Sequence, residues 1–255
     1  LDGFQHQIFE KEKSFDSTTR ITLYNELKKQ YNLVEVSQKT AENIELLQSQ
    51  NTFTITTGHQ LNLFTGPLYF LYKILSTINL CEELSEKFPN QNFVPIYWMA
   101  TEDHDFDEIN YFNFKGKKVL WNRKDGGAVG RFSTDGLQEV LEVFSAHLGN
   151  SKNALYLKNL FSDAYLKHKN LASATRFIAN SLFGQHGLVI IDGDSRDLKQ
   201  VFSPFLKDEL LHQTSYKEVS KTISELEKAY KIQVNPREIN LFYLEKNSRE
   251  RIVFE

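Results

Sequence analysis

TFTITTGHQLNLFTGPLYFLYK, residues 52–73, decides the fold expected of this chain. Phe53 and Ile55 alternate with Thr52, Thr54 and Thr56, and β-branched residues at period two suit a strand. The pattern breaks at Thr57-Gly58-His59-Gln60 and resumes as a helix predicted from Thr65-Gly66-Pro67. Gly66 is read as its N-cap and Pro67 as a first-turn proline. Leu71, Ile74, Leu75, Ile78, Cys81 and Leu84 then form an apolar helical stripe. Strand, glycine loop and helix N-terminus make the first half of a nucleotide-type βαβ unit, and such a terminus attracts anions. An ordinary strand-to-helix turn fits the same residues, because short glycine patterns often match by chance.

Upstream, residues 1–15 show no clear period. Asp16-Ser17 can cap a helix to Gln30 carrying Ile21, Leu23, Tyr24 and Leu27, and Ser37 a second with Ala41, Ile44 and Leu47 inward. Downstream, FVPIYWMA at 93–100 reads as a buried parallel strand with Pro95 near its start or at a bulge. Three short strands are expected over 111–133 (YFNF, KKVLWN, GAVGRFS), with turns at Lys115-Gly116 and Asp125-Gly126-Gly127, as an inserted hairpin unit. Helices are expected at 135–148, 151–167 and 171–184, and a buried strand at Gly187–Asp192. Helices near 196–212 and 216–230 follow, then a turn at Asn235-Pro236-Arg237 and strands at 238–244 and 250–254.

This order predicts an α/β fold, a Rossmann-like doubly wound parallel sheet with an insertion. The expected divisions are N-terminal helices at 1–50, the first half of the core at 51–110, an inserted connecting unit at 111–170, and the second half with late strands at 171–255. The first residue is Leu1 and the chain stops inside an expected strand, so a fragment of a longer protein is anticipated.

Composition narrows the function. The formal charge of −3 over 255 residues gives no electrostatic footprint for nucleic acid. The single cysteine, Cys81, excludes an internal disulfide and a multi-cysteine metal site within this sequence, which fits a reducing, cytoplasmic setting. No apolar run is long enough to span a bilayer.

In open α/β sheets, ligands lie beyond the carboxyl ends of the strands. Three polar segments follow apolar strands here: Gly58-His59-Gln60, Glu102–Glu108 and Asp192–Asp194. Glu102, Asp103, His104, Asp105, Asp107 and Glu108 place five carboxylates and one imidazole in seven residues. Such crowding calls for a cation, a metal or an ammonium group, unless it is a solvated helix cap. His104 between Asp103 and Asp105 is a candidate proton acceptor. Lys73 is either an anion ligand or a surface lysine. Arg237, Arg249 and Arg251 can hold carboxylates or phosphates.

Two long motifs carry a resemblance. TGHQLNLFTGPLYFLYKILSTI and VPIYWMATEDHDFDEIN resemble the BshC family, the cysteine-adding ligases of bacillithiol biosynthesis. FGQHGLVIIDGDSRDLK and VNPREINLFYL match its pattern in the same order. The chain departs from it with His59 where Gln is common, with Asn62 where a small residue is usual, and in length. The resemblance implies a core like that of class I aminoacyl-tRNA synthetases with connecting-peptide insertions. It also implies a coiled coil and a homodimer in the full-length protein. It implies amide formation between cysteine and the amine of glucosaminyl-malate, with ATP or another activating nucleotide and no assigned metal. Gly58, His59, Gln60, Thr65, Gly66 and Lys73 are the expected nucleotide or anion site. Asp103, His104 and Asp105 are the expected catalytic set, and Glu102, Asp192 and Arg237 the expected substrate contacts. A metal-dependent hydrolase using the acidic cluster, or a non-catalytic nucleotide- or sugar-binding module, stands as the alternative.

Overall fold

A three-stranded parallel sheet at the centre brings the three polar segments to one end. The computed structural model describes residues 2–32, 34–124 and 126–254. Helices α1 (Asp2–Ser14), α2 (Ser17–Gln30) and α3 (Gln38–Leu46) lead into β1 (Thr52–His59), α4 (Tyr69–Lys87) and β2 (Asn92–Met99). A short α5 (Phe106–Ile109) precedes the hairpin β3 (Tyr111–Phe114) and β4 (Lys117–Leu120). Then come α6 (Leu137–Leu148), α7 (Lys152–Lys167), α8 (Leu171–Phe183) and β5 (Val189–Asp192). Helices α9 (Arg196–Val201), α10 (Ser203–His212) and α11 (Thr214–Leu226) follow, with a last hairpin, β6 (Phe242–Leu244) and β7 (Arg249–Arg251).

The Rossmann-like α/β fold expected from the pattern is observed. The sheet order is β1-β2-β5, all parallel, and the register places His59, Met99 and Asp192 side by side at the carboxyl ends. Among the described residues the strands step one way from β1, without the order reversal of a full doubly wound sheet. Phe93 through Tyr97 are buried without a break, as a strand covered on both faces requires. Pro95 lies mid-strand, and its missing N–H is tolerated there because the β2–β5 ladder begins only at Ile96.

The predicted caps form: Asp16 accepts the Thr19 N–H at 2.8 Å and Ser37 that of Thr40 at 3.1 Å. Ala41, expected inward, is exposed. Residues 2–14 are helical despite the weak period, with Phe4 and Ile8 packed on Phe53 and Phe93. The strand expected at GAVGRFS is a single 3-10 turn, Val129–Arg131, whose Gly130 N–H donates to the Thr101 carbonyl at 2.9 Å. A Cβ on Gly130 would meet the Thr101 Cβ at 2.5 Å, so this close approach requires glycine. The Lys115-Gly116 hairpin turn is present, both residues having positive φ. Asp125 of the second expected turn lies outside the described residues. The helix expected over 196–212 is two, with Pro204 in the first turn of α10. No turn is assigned at 235–237, and the late strands are short.

One apolar cluster runs from Leu27 to Ile191 and takes in Trp121, Phe144, Phe161 and Tyr165 of the inserted stretch. Residues 111–170 therefore share their core with the sheet.

Candidate active site

The β1–α4 connection is a plug in the core before it is anything else. Phe64 is 8% exposed, and its ring lies 4.4–5.2 Å from those of Phe112, Phe144, Phe161 and Tyr165. Its N–H donates to the Tyr165 hydroxyl at 2.8 Å. Phe64 and Thr65 carry φ of 53° and 69°, costly for residues with a Cβ and sustained here by that aromatic packing. Gly66 also has positive φ, and a Cβ there would meet the Asn62 Cβ at 2.4 Å. It closes the 3-10 turn Leu63–Thr65 and is not the N-cap of α4, which starts later, at Tyr69.

The groups expected to hold a nucleotide are engaged with protein. Lys73 Nζ donates to the Gly58 carbonyl, covering a backbone acceptor of β1. The Thr65 hydroxyl donates to the Phe64 carbonyl at 2.5 Å. His59 is 6% exposed between the rings of Tyr69 and Phe70. Its Nδ1 donates to the Gln60 carbonyl at 2.9 Å, and Nε2 has no partner. Burial pushes the His59 imidazole below its ordinary range, outweighing the Gln60 carbonyl's opposite pull. The Gln60 amide is likewise engaged, with two carboxylates.

Gln60 is the link between strands. Its Nε2 donates to Asp103 Oδ2 at 2.9 Å and to Glu108 Oε2 at 2.8 Å, joining the β1 loop to the acidic turn after β2. Asp103 Oδ1 accepts the N–H groups of His104 (2.7 Å) and Asp105 (3.3 Å). Burial pushes the Asp103 carboxyl up, but the Gln60 amide, these two N–H groups and the Arg249 charge together bring it below its ordinary range. Asp105 is exposed and makes no capping bond to α5.

Arg249 NH1 lies 2.7 Å from His104 Nδ1, and its guanidinium sits 3.9 Å from the Phe242 ring centroid. Arg237 approaches the same ring at 5.2 Å, which brings it into this neighbourhood. Asp103, His104 and Asp105 also offer ligand atoms within 4.8 Å of one another, close enough to share a cation. A cation is already there, since Arg249 occupies the His104 nitrogen.

A second network lies at the ends of β2 and β5. Thr101 Oγ1 donates to Asp192 Oδ1, which also accepts the Asp194 N–H at 2.9 Å, so Asp192 ties two strand ends together. Asp194 takes a two-pronged Arg131 contact (2.6 and 2.8 Å) and Lys199 at 2.7 Å, and Lys199 reaches Glu102 at 2.7 Å. Burial pushes the Asp194 carboxyl up, and Arg131 and Lys199 more than offset it, leaving it below its ordinary range. The sequence reading missed Arg131 and Lys199. Lys199, five residues after Asp194, lay within reach of a local reading, whereas Arg131 is 63 residues from its partner.

Cys81 plays no part in this site. It is 4% exposed on α4, and burial pushes its thiol up to about 12.

Residues 1–255 match the family described as "Bacillithiol biosynthesis BshC, N-terminal Rossmann-like domain". A protein of Flavobacterium johnsoniae named "Putative cysteine ligase BshC" is 65% identical over 255 residues, all of this chain and 48% of that relative. A protein of the same name from Flavobacterium psychrophilum is 62% identical over 256 residues, again 48% of its length. One from Staphylococcus saprophyticus is 26% identical over 272 residues. The chain spans about half the length of the curated relatives it matches.

Proposed function

The chain belongs to the BshC family, and from that premise we propose that its acidic turn serves a ligase joining cysteine to the amine of glucosaminyl-malate as an amide. The observation that supports this reading is the Gln60 bridge to Asp103 and Glu108, which joins the β1 loop to the acidic turn. An attacking amine is largely protonated near neutral pH, so it must be held as ammonium and then freed of a proton. Asp103, kept ionised by its donors, suits the first task, and the exposed carboxylate of Asp105 suits the second. Arg237, beside the Phe242 ring, supplies a cation for the carboxylates of the malate moiety. Glu102 is held by Lys199, and Asp192 by Thr101, so these two flank the acidic turn.

The cysteine carboxylate must be activated before it is attacked. ATP or another nucleotide is the reagent proposed for that step. The loop residues named for it in the sequence are engaged elsewhere, so no step is routed through them.

The test is to incubate the full-length protein with cysteine, glucosaminyl-malate and ATP and to read the product by mass. A product heavier than glucosaminyl-malate by one cysteine residue supports the reading. Its absence, with hydrolysis dependent on an added divalent metal, supports a hydrolase instead.

A further inference from the structure

Arg249 is delivered to His104 by a hairpin with its own anchorage. The β6–β7 turn packs against the backbone at Gly126 and Gly127. A Cβ on Gly126 would meet the Asn247 carbonyl oxygen at 2.6 Å, and one on Gly127 the Asn247 backbone at 3.1 Å. Arg131, already fixed by Asp194, donates to the Glu245 carbonyl at 3.4 Å. Phe242 then supports the guanidinium from below at 3.9 Å. These contacts direct one N–H of Arg249 at His104 Nδ1, 2.7 Å away.

A guanidinium can only donate, so His104 Nδ1 must be the accepting, unprotonated nitrogen. The ring is therefore neutral and carries its proton on Nε2. The neighbouring carboxylates do not compete for Nδ1. Asp103 Oδ1 and Asp105 Oδ1 lie 3.6 and 3.7 Å from it, beyond hydrogen-bond range.

We propose that Arg249 is a positioning residue that fixes His104 in the Nε2–H tautomer, so that His104 meets substrate as a hydrogen-bond donor and not as a base. With Nδ1 occupied and Nε2 protonated, the ring has no lone pair to offer the ammonium, and proton acceptance passes to a carboxylate, Asp105. The Nε2–H is suited to the acyl oxygen on which charge develops as nitrogen attacks. The tautomer assignment rests on geometry alone, whereas the donor role rests on the ligase reading above.

The two parts are tested separately. The full-length protein is labelled with ¹⁵N-histidine, and His104→Gln identifies the His104 signals among those of all its histidines. The expected pattern is unprotonated Nδ1 with protonated Nε2. Arg249→Ala should lose it, giving tautomer-averaged shifts, and Arg249→Gln, whose amide can still donate to Nδ1, should retain it. A protonated Nδ1 in the wild type, or an unchanged pattern in Arg249→Ala, overturns the assignment. In the ligation assay, Arg249→Ala should lower kcat about 10²-fold, the cost of one misaligned donor, with partial recovery in Arg249→Gln. Unchanged kcat in Arg249→Ala overturns the donor role. If no amide forms in the wild type, the ligase reading fails and the donor role fails with it, while the tautomer result stands on its own.

Discussion

Gln60→Ala removes one side-chain amide that serves two carboxylates, at 2.9 Å to Asp103 and 2.8 Å to Glu108. A hydrogen bond to a charged partner contributes about 1.5–3 kcal/mol when partly buried. Asp103, with its side chain 23% exposed, belongs near the low end of that range. Glu108 is exposed, and its share is about 0–1 kcal/mol. The expected loss is about 2 kcal/mol, or about 4–8 °C in Tm for a chain of this size. The loss depends on pH with a definite sign. Asp103 has a folded carboxyl below its ordinary 3.8, so its stabilisation is present above that value and is lost as pH falls through the lower folded one. The gap between wild type and Gln60→Ala is therefore full near neutral pH and closes in acid, as pH falls below 3.8 and through the lower folded value. Gln60→Glu, which sets a third carboxylate against the other two, should cost more than alanine at neutral pH and converge with it in acid. Thermal and urea unfolding followed by circular dichroism at both pH values measures this. A gap below about 0.5 kcal/mol at neutral pH, or one equal at both pH values, refutes the bridge as a source of stability.

Gly193→Ala would put a Cβ 2.3 Å from Trp98 Cζ2, so the indole must move. Because Trp98 is 42% exposed and its indole can swing into solvent, we expect a shift in tryptophan emission with little loss of stability. Unchanged emission in Gly193→Ala would mean the indole does not rest there. Cys81, with its thiol at about 12, should hold a thiolate fraction of about 10⁻⁴ near pH 8 and react with a disulfide reagent only when denaturant is added. Fast labelling without denaturant contradicts that burial.

Periodicity and caps made the sheet and most helices legible. The alternation in β1, the unbroken apolar run of β2 and the short run of β5 each report how a strand is covered, and Asp16, Ser37 and Ser151 mark helix starts by local bonding. Local chemistry also explains the failures. In α1 the apolar period is carried by Phe4 and Ile8, too sparse to register. GAVGRFS has strand-like residues, but Gly130 is there to let the chain approach Thr101. At Thr65-Gly66-Pro67 the residues of a helix start are present, yet Phe64 is drawn into an aromatic cluster whose members lie up to about a hundred positions away. The three polar segments were legible as strand ends. Their long-range partners were not, because Arg131 and Arg249 arrive through tertiary packing. The Arg249–His104 pair spans 145 residues and has no local signature.

The most direct test is the rate of amide formation per folded molecule for Asp105→Asn in the full-length protein. Asp105 suits it because its side chain is half exposed and makes no capping bond to α5, so the substitution leaves the fold intact. If the acidic turn frees the attacking amine of its proton, kcat and kcat/KM should fall together by about 10²–10⁴-fold. Turnover within a few-fold of the wild type at matched Tm would remove the turn from the chemistry and leave it as a solvated start to α5.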